Sequence, residues 1–135
     1  MAKTTTNQYI SAIGRRRSAI ASVKLFKGKG ESIVNGIAVD KYFPGDIAKI
    51  QYSRPFIATD TEGKFHFSAV LSGGGKMSQT GALVLALARA LKESADTLTA
   101  PLRAAGLLTA DSRVRQRRMV GTGGKARRQK QSPKR

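Results

Sequence analysis

The sequence predicts an α+β fold: one sheet covered by helices, with a long extended basic tail at the C-terminal end. Three observations predict it. The stretches Ser18–Lys27 and Phe65–Leu71 alternate with period two, as strands do. The stretch Gln79–Ser94 is apolar most of the way round at helical spacing, as a helix buried against a sheet is. The last 24 residues, Ser112–Arg135, hold ten of the 25 basic residues and none of the eight acids. At 135 residues the chain is one domain's worth plus extensions. The expected division is a short N-terminal segment 1–8, a globular domain 9–111 and a tail 112–135.

In order along the chain, Gln8–Ile13 alternates loosely and predicts a first strand, followed by a basic turn over Gly14–Arg17. In Ser18–Lys27, Ala19, Ala21, Val23 and Leu25 share one face; Ile20, Ser22, Lys24 and Phe26 share the other. Gly28-Lys29-Gly30 allows a reversal. The strand Glu31–Val34 then ends at Asn35-Gly36, the strongest hairpin signal in the chain. Val39–Phe43 and Asp46–Tyr52 read as short helical pieces, and Pro55 argues against a long helix there. Phe65–Leu71 leads into the glycine run Ser72–Lys76. The helix Gln79–Ser94 follows, with Ser78 expected as its N-cap. Pro101–Ala105 predicts one further helical turn stopped by Gly106, with Leu107 and Leu108 anchoring it to the core.

A net charge of +17 and a pI near 11 predict a nucleic-acid partner. With no cysteine, a disulfide, a thiolate nucleophile and a zinc knuckle are excluded. No apolar N-terminal core of a signal and no run of about 18 apolar residues is present. The expectation is a cytoplasmic protein with no membrane partner.

The run Gly73, Gly74, Gly75 and Lys76 joins a strand to a helix, where free N–H groups and the helix dipole favour anions. It lacks the Walker spacing and G-x-G-x-x-G. It reads either as a plain turn or as a phosphate contact. Arg15, Arg16 and Arg17 gain weight as phosphate ligands because Lys24, Lys27 and Lys29 follow closely, and guanidinium holds phosphate oxygens bidentately. His66 reads as a half-exposed strand residue, out of phase with Phe65 and Phe67. The acids are scattered, so neither a carboxylate pair nor a metal cluster stands out; no catalytic residue, metal or cofactor is expected. In the tail, Arg113, Arg115, Arg117, Arg118, Lys125, Arg127, Arg128 and Lys130 are interrupted by Gly121, Gly123 and Gly124. Such a chain can thread a narrow groove, and without aromatics its contacts fall mainly on phosphate.

Seven pieces occur in a recognisable order: Gly14–Ala21 (GRRRSAIA), Val34–Gly36 (VNG), Tyr42–Pro44 (YFP), Ser72–Gly75 (SGGG), Gly106–Thr109 (GLLT) with Asp111, Lys125–Arg128 (KARR), and the terminal Lys134-Arg135. Over almost its whole length the chain resembles the bacterial-type small-subunit ribosomal protein number nine family. The resemblance implies a two-layer β-α-β sandwich like that of GHMP-type kinases, without catalysis. It also implies a place in the head of the small ribosomal subunit, against the 3′ major domain of the rRNA and beside other head proteins. The family's tail reaches the peptidyl-site tRNA. Lys134 and Arg135 are the matching tRNA-contacting candidates; Arg15–Arg17, Gly73–Gly75 and the basic residues from Arg113 to Arg128 are the rRNA-binding candidates. The chain departs from the family pattern at Val84-Leu85, where an Arg-His pair is usual. It departs again at Ser78, usually glycine, and at Ser132-Pro133, usually Phe-Ser.

Two further classes are open from residues alone. A phosphate-binding enzyme of the kinase-like fold would use the Gly73–Lys76 loop on a small-molecule substrate. A general nucleic-acid compaction protein would bind duplex DNA and structured rRNA equally.

Overall fold

A computed structural model describes residues 8–121 of the chain. Five strands form one sheet in the order β1-β2-β5-β3-β4. They are β1 (Tyr9–Arg16), β2 (Ala19–Lys27), β3 (Ile33–Val34), β4 (Ile37–Ala38) and β5 (Phe65–Ser72). The helices are α1 (Val39–Tyr42), α2 (Asp46–Ala58), α3 (Lys76–Ser94) and α4 (Thr99–Ala104), with a 3-10 turn over Asp96–Leu98 before α4. All strand pairs are antiparallel except β3 with β5, which is parallel. The α+β reading of the sequence therefore holds.

The period-two pattern sorts as its chemistry demands. Ala19, Ala21, Val23 and Leu25 of β2 and Phe67, Ala69 and Leu71 of β5 are buried. Their neighbours on the opposite face, Ile20 and Val70, are exposed. The helices lie on the buried face. α3 packs on β1 and β2, α2 packs on α3, and Phe56 of α2 stacks over Phe67 of β5 with ring centroids 6.4 Å apart.

Small residues set the distance between α3 and the sheet. A Cβ at Gly14 of β1 would meet the carbonyl oxygen of Ala82 and come within 2.6 Å of the Ala86 nitrogen. Glycine on the strand and alanines on the helix thus let two backbones touch. Arg89 of α3 fixes the same contact by donating from Nη1 to the Ile13 carbonyl, 2.8 Å away.

The Asn35-Gly36 hairpin forms as expected, with positive φ at both residues (50° and 79°), as a type I′ turn requires. The Asn35 side chain then behaves as an extra strand residue. Its Nδ2 donates to the Leu71 carbonyl at 3.0 Å and its Oδ1 accepts from the Leu71 N–H at 2.9 Å. Gly106 (φ 69°) stops α4, and Leu107 is buried while its N–H bonds the Leu102 carbonyl.

Four expectations are corrected. β1 runs on through Arg16, so the basic turn shrinks from Gly14–Arg17 to Arg17-Ser18 between the paired residues Arg16 and Ala19. The expected strand Glu31–Val34 is regular only at Ile33 and Val34, which pair with β4 and β5. α2 continues through Pro55 to Ala58. The ring lies in the last turn and is fully buried, so its packing offsets the one backbone bond it removes. Thr59 closes that helix end, donating from Oγ1 to the Pro55 carbonyl at 2.9 Å. Finally, α3 begins at Lys76 with Gly75 as N-cap in extended backbone, and Ser78 is buried within the first turn.

α2 is tied to α1 by Tyr52, whose hydroxyl donates to Asp40 Oδ1 at 2.8 Å. Burial, then that bond and the carboxylate's charge, push the Tyr52 hydroxyl well above the usual tyrosine value.

Gly14→Ala should destabilise the domain by about 3 kcal/mol, since two backbones rather than a pliable side chain must separate. Chemical denaturation read by circular dichroism checks it; a loss well below 1 kcal/mol would show that the contact can relax.

Candidate nucleic-acid interface

The structure brings three of the sequence-predicted features to one end of the sheet. A Cβ at Gly73 would collide with the Ser18 carbonyl oxygen, and one at Gly74 would lie 3.1 Å from the Ala19 Cβ. The glycine loop therefore sits directly on the Arg17-Ser18 turn. Both glycines have positive φ (70° and 63°), so turn geometry and close approach each demand glycine. Gly75 differs: its φ is ordinary and nothing lies within 4 Å of its Cβ position. It is the exposed N-cap of a 19-residue helix and makes no side-chain cap bond.

A polar chain fixes this loop from behind. Asn35 Nδ2 lies 3.4 Å from the Tyr42 hydroxyl, which donates to Gln79 Oε1 at 2.9 Å. Gln79 Nε2 in turn donates to the Gly73 carbonyl at 3.1 Å. Lys76 belongs to this scaffold as well. Its ammonium sits 3.3 Å from the centroid of the Tyr42 ring and donates to the Tyr42 carbonyl at 3.3 Å.

The arginine triplet is divided between two roles. Arg15 and Arg17 are exposed; Arg17 occupies the left-handed region (φ 53°) at the turn. Arg16 is half-buried along α3, its stem seated where a side chain at Gly81 would be: a Cβ there would be 2.5 Å from Arg16 Cδ. From that seat Arg16 Nη2 reaches Asp111 Oδ2 at 3.3 Å. Asp111 simultaneously accepts from Arg113, with Nη2 at 2.7 Å, Nε at 2.9 Å and the backbone N–H at 3.1 Å. The Arg113 bonds, then the two guanidinium charges, hold the Asp111 carboxyl well below the usual carboxylate range. The root of the basic segment is thereby aimed away from the same end of the domain as the glycine loop. Beyond it, Arg115, Arg117 and Arg118 are exposed and without regular structure.

The lysines expected to join the triplet do not. β2 runs from Ala19, beside the turn, to Lys27, which pairs with Phe65 at the opposite end. Eight residue steps place Lys27 about 27 Å from the arginines, with Lys29 beyond it. Lys24 lies between, on the helix-free face, its ammonium 4.9 Å from the Tyr9 ring centroid. His66 is half-buried as expected, stacked on Phe26 and within 3.1 Å of the Gly28 carbonyl through Nδ1. Lys125, Arg127, Arg128, Lys130, Lys134 and Arg135 lie outside the described residues.

Two residues that position the interface, Gly81 and Asp111, carry sequence signals of their own. A lone glycine inside an apolar helix costs about 1 kcal/mol relative to alanine and so points to a close approach. A single acid at the root of an acid-free basic segment points to a local clamp.

Asp111→Asn should leave the melting midpoint nearly unchanged, because the contacts are solvent-exposed, yet speed tryptic cleavage after Arg113. Limited proteolysis followed by mass spectrometry measures this. The folded carboxyl titrates below its unfolded value of about 3.9. The clamp is therefore complete above that pH and is lost only as pH falls further. Unchanged cleavage in the variant would dismiss the clamp.

Comparison with known proteins shows the family. Residues 14–135 match the family described as Ribosomal protein S9/S16. The small ribosomal subunit protein uS9 of Mesoplasma florum is 41% identical over 122 residues, covering 90% of this chain and 92% of the relative. That of Gemmatimonas aurantiaca is 40% identical over 118 residues, covering 87% and 92%. That of Renibacterium salmoninarum is 42% identical over 112 residues, covering 82% and 67%. The chain belongs to the Ribosomal protein S9/S16 family, and is thus a structural, non-enzymatic protein of the small ribosomal subunit.

Proposed function

We propose that the chain binds small-subunit rRNA in the head, at its 3′ major domain, and extends its tail to the peptidyl-site tRNA. The domain 9–111 is the anchor and the segment 112–135 the reaching arm. One observation carries this reading: a segment with ten cations and no acid leaves the domain beside two exposed arginines and the open start of α3. Arg15, Arg17, Arg113, Arg115 and Arg117 supply guanidinium groups for backbone phosphates. The N–H groups after Gly75 offer an anion site with open space for a sugar-phosphate backbone. Lys125, Arg127, Arg128 and Lys130 continue the rRNA contact along the arm, and Lys134 and Arg135 meet the tRNA. Lys24, Lys27 and Lys29 serve a second, separate stretch of rRNA, given their distance from the arginines.

If six to ten cations neutralise phosphates, binding to the 3′ major domain should show a log–log salt slope of about −5 to −9. Filter binding across a salt series measures it. A slope near −2, or equal affinity for duplex DNA, would sink the reading; the latter would favour general compaction.

Deleting Ser132–Arg135 should leave subunit assembly intact while speeding tRNA loss from the peptidyl site. Dissociation of labelled tRNA from ribosomes carrying the truncation reads this out, and an unchanged rate excludes the tRNA contact.

A further inference from the structure

A cavity of about 180 Å³ lies where β1, α2, α3 and the segment after α4 meet. Arg15 and Arg16 of β1, Gln51 and Arg54 of α2, and Asp111 line it. Three guanidinium groups therefore share one space with a single carboxylate. Leu85 of α3 and Leu107 line it too, and both are buried, so apolar walls strengthen the field of those charges. Gln51 and Arg54 are three residues apart and so are neighbours on one side of α2. Arg15 and Arg54 are exposed and have no hydrogen-bond or ion-pair partner among the described residues.

Asp111 does not use up this site. It accepts three bonds from Arg113, at 2.7, 2.9 and 3.1 Å, and makes one longer contact with Arg16, at 3.3 Å. Arg113 alone satisfies it, so Arg16 can turn to another oxyanion without stranding the carboxylate. We infer that the cavity seats one backbone phosphate of small-subunit rRNA, held by Arg15, Arg16 and Arg54, with Gln51 offering an amide N–H. The inference rests on the proposed rRNA reading and adds α2, which the sequence did not mark, to the binding surface. Two features favour phosphate over the carboxylate of a neighbouring protein. The cations come from two elements, β1 and α2, which suits the tetrahedral oxygens of a phosphodiester better than a planar carboxylate. Beyond Asp111, Arg113, Arg115 and Arg117 follow at alternate positions, and Arg17 is exposed beside Arg16. A polyanion can engage the cavity and these cations in succession, whereas an isolated carboxylate engages the cavity alone.

Arg54→Gln removes one cation at an exposed position, so circular dichroism should show the fold unchanged. In filter binding to the 3′ major domain across a salt series, its log–log slope should be shallower by about one. Its affinity at low salt should fall about tenfold. Arg103→Gln, an exposed arginine of α4 outside the cavity, should alter neither value. Millimolar inorganic phosphate should compete no better than chloride at the same ionic strength. The chain has no cysteine, so Ile50→Cys, one helical turn before Arg54, can carry an iron chelate that cuts nearby nucleic-acid backbone. In reconstituted small subunits those cuts should fall at one rRNA site. An unchanged slope for Arg54→Gln, an equal loss in Arg103→Gln, or no rRNA cut overturns the inference while the rRNA reading stands. Competition specific to inorganic phosphate would make the free ion the ligand and also overturns it. A chain that fails to bind the 3′ major domain at all overturns both.

Discussion

The contact between Gly14 and the Ala82–Ala86 stretch of α3 is the constraint on which the rest of the molecule depends. Backbone meets backbone there, leaving no side chain to absorb an error in position. Because α3 is held at that distance, its first turn ends beside the Arg17-Ser18 turn and the glycine loop packs on the Ser18 carbonyl. The same close approach puts Gly81 where the Arg16 stem can lie along the helix, and so places Arg16 within reach of Asp111. A cluster of arginines, a helix start and a departing chain are gathered at one end of a sheet by two alanines and a glycine.

Different forces hold the two halves of that end. The glycine loop is backed by a chain of neutral hydrogen bonds through Asn35, Tyr42 and Gln79, some exposed and some part-buried, each contributing about 1 kcal/mol or less. The root of the basic segment is held by charge at the surface, where pairing contributes little to stability but still selects a direction. The loop is accordingly held by several bonds at once, and the arm is aimed without being fastened. That division lets the arm change partners at its root without loosening the folded domain.

Much of this was legible in the sequence. Alternation along Ala19–Leu25 and Phe67–Leu71 identified the buried face, and Asn35-Gly36 specified its hairpin through backbone preference alone. What escaped prediction depends on tertiary contacts. Pro55 reads as a breaker until burial of its ring is known. Ser78 reads as a cap until Gly75 is seen to start the helix three residues earlier than expected. Gly14 reads as a turn residue, although its role is to admit a helix. At the interface, nearness in sequence misgrouped Lys27 and Lys29 with the arginines, because a strand carries residues apart at over 3 Å per step. The Arg16–Asp111 pair spans nearly the whole domain in sequence and leaves no local pattern.

The sheet's two edges bear on how the protein survives before it joins the small subunit. An unpaired strand edge is a template for further strands, and a newly made chain in excess of its binding sites is exposed to self-association. β4, at one edge, is only two residues long and offers little to copy. β1, at the other, is eight residues long, but Arg89 occupies the Ile13 carbonyl midway along it. The arginine that locks helix to sheet therefore also takes up one acceptor on the longer strand.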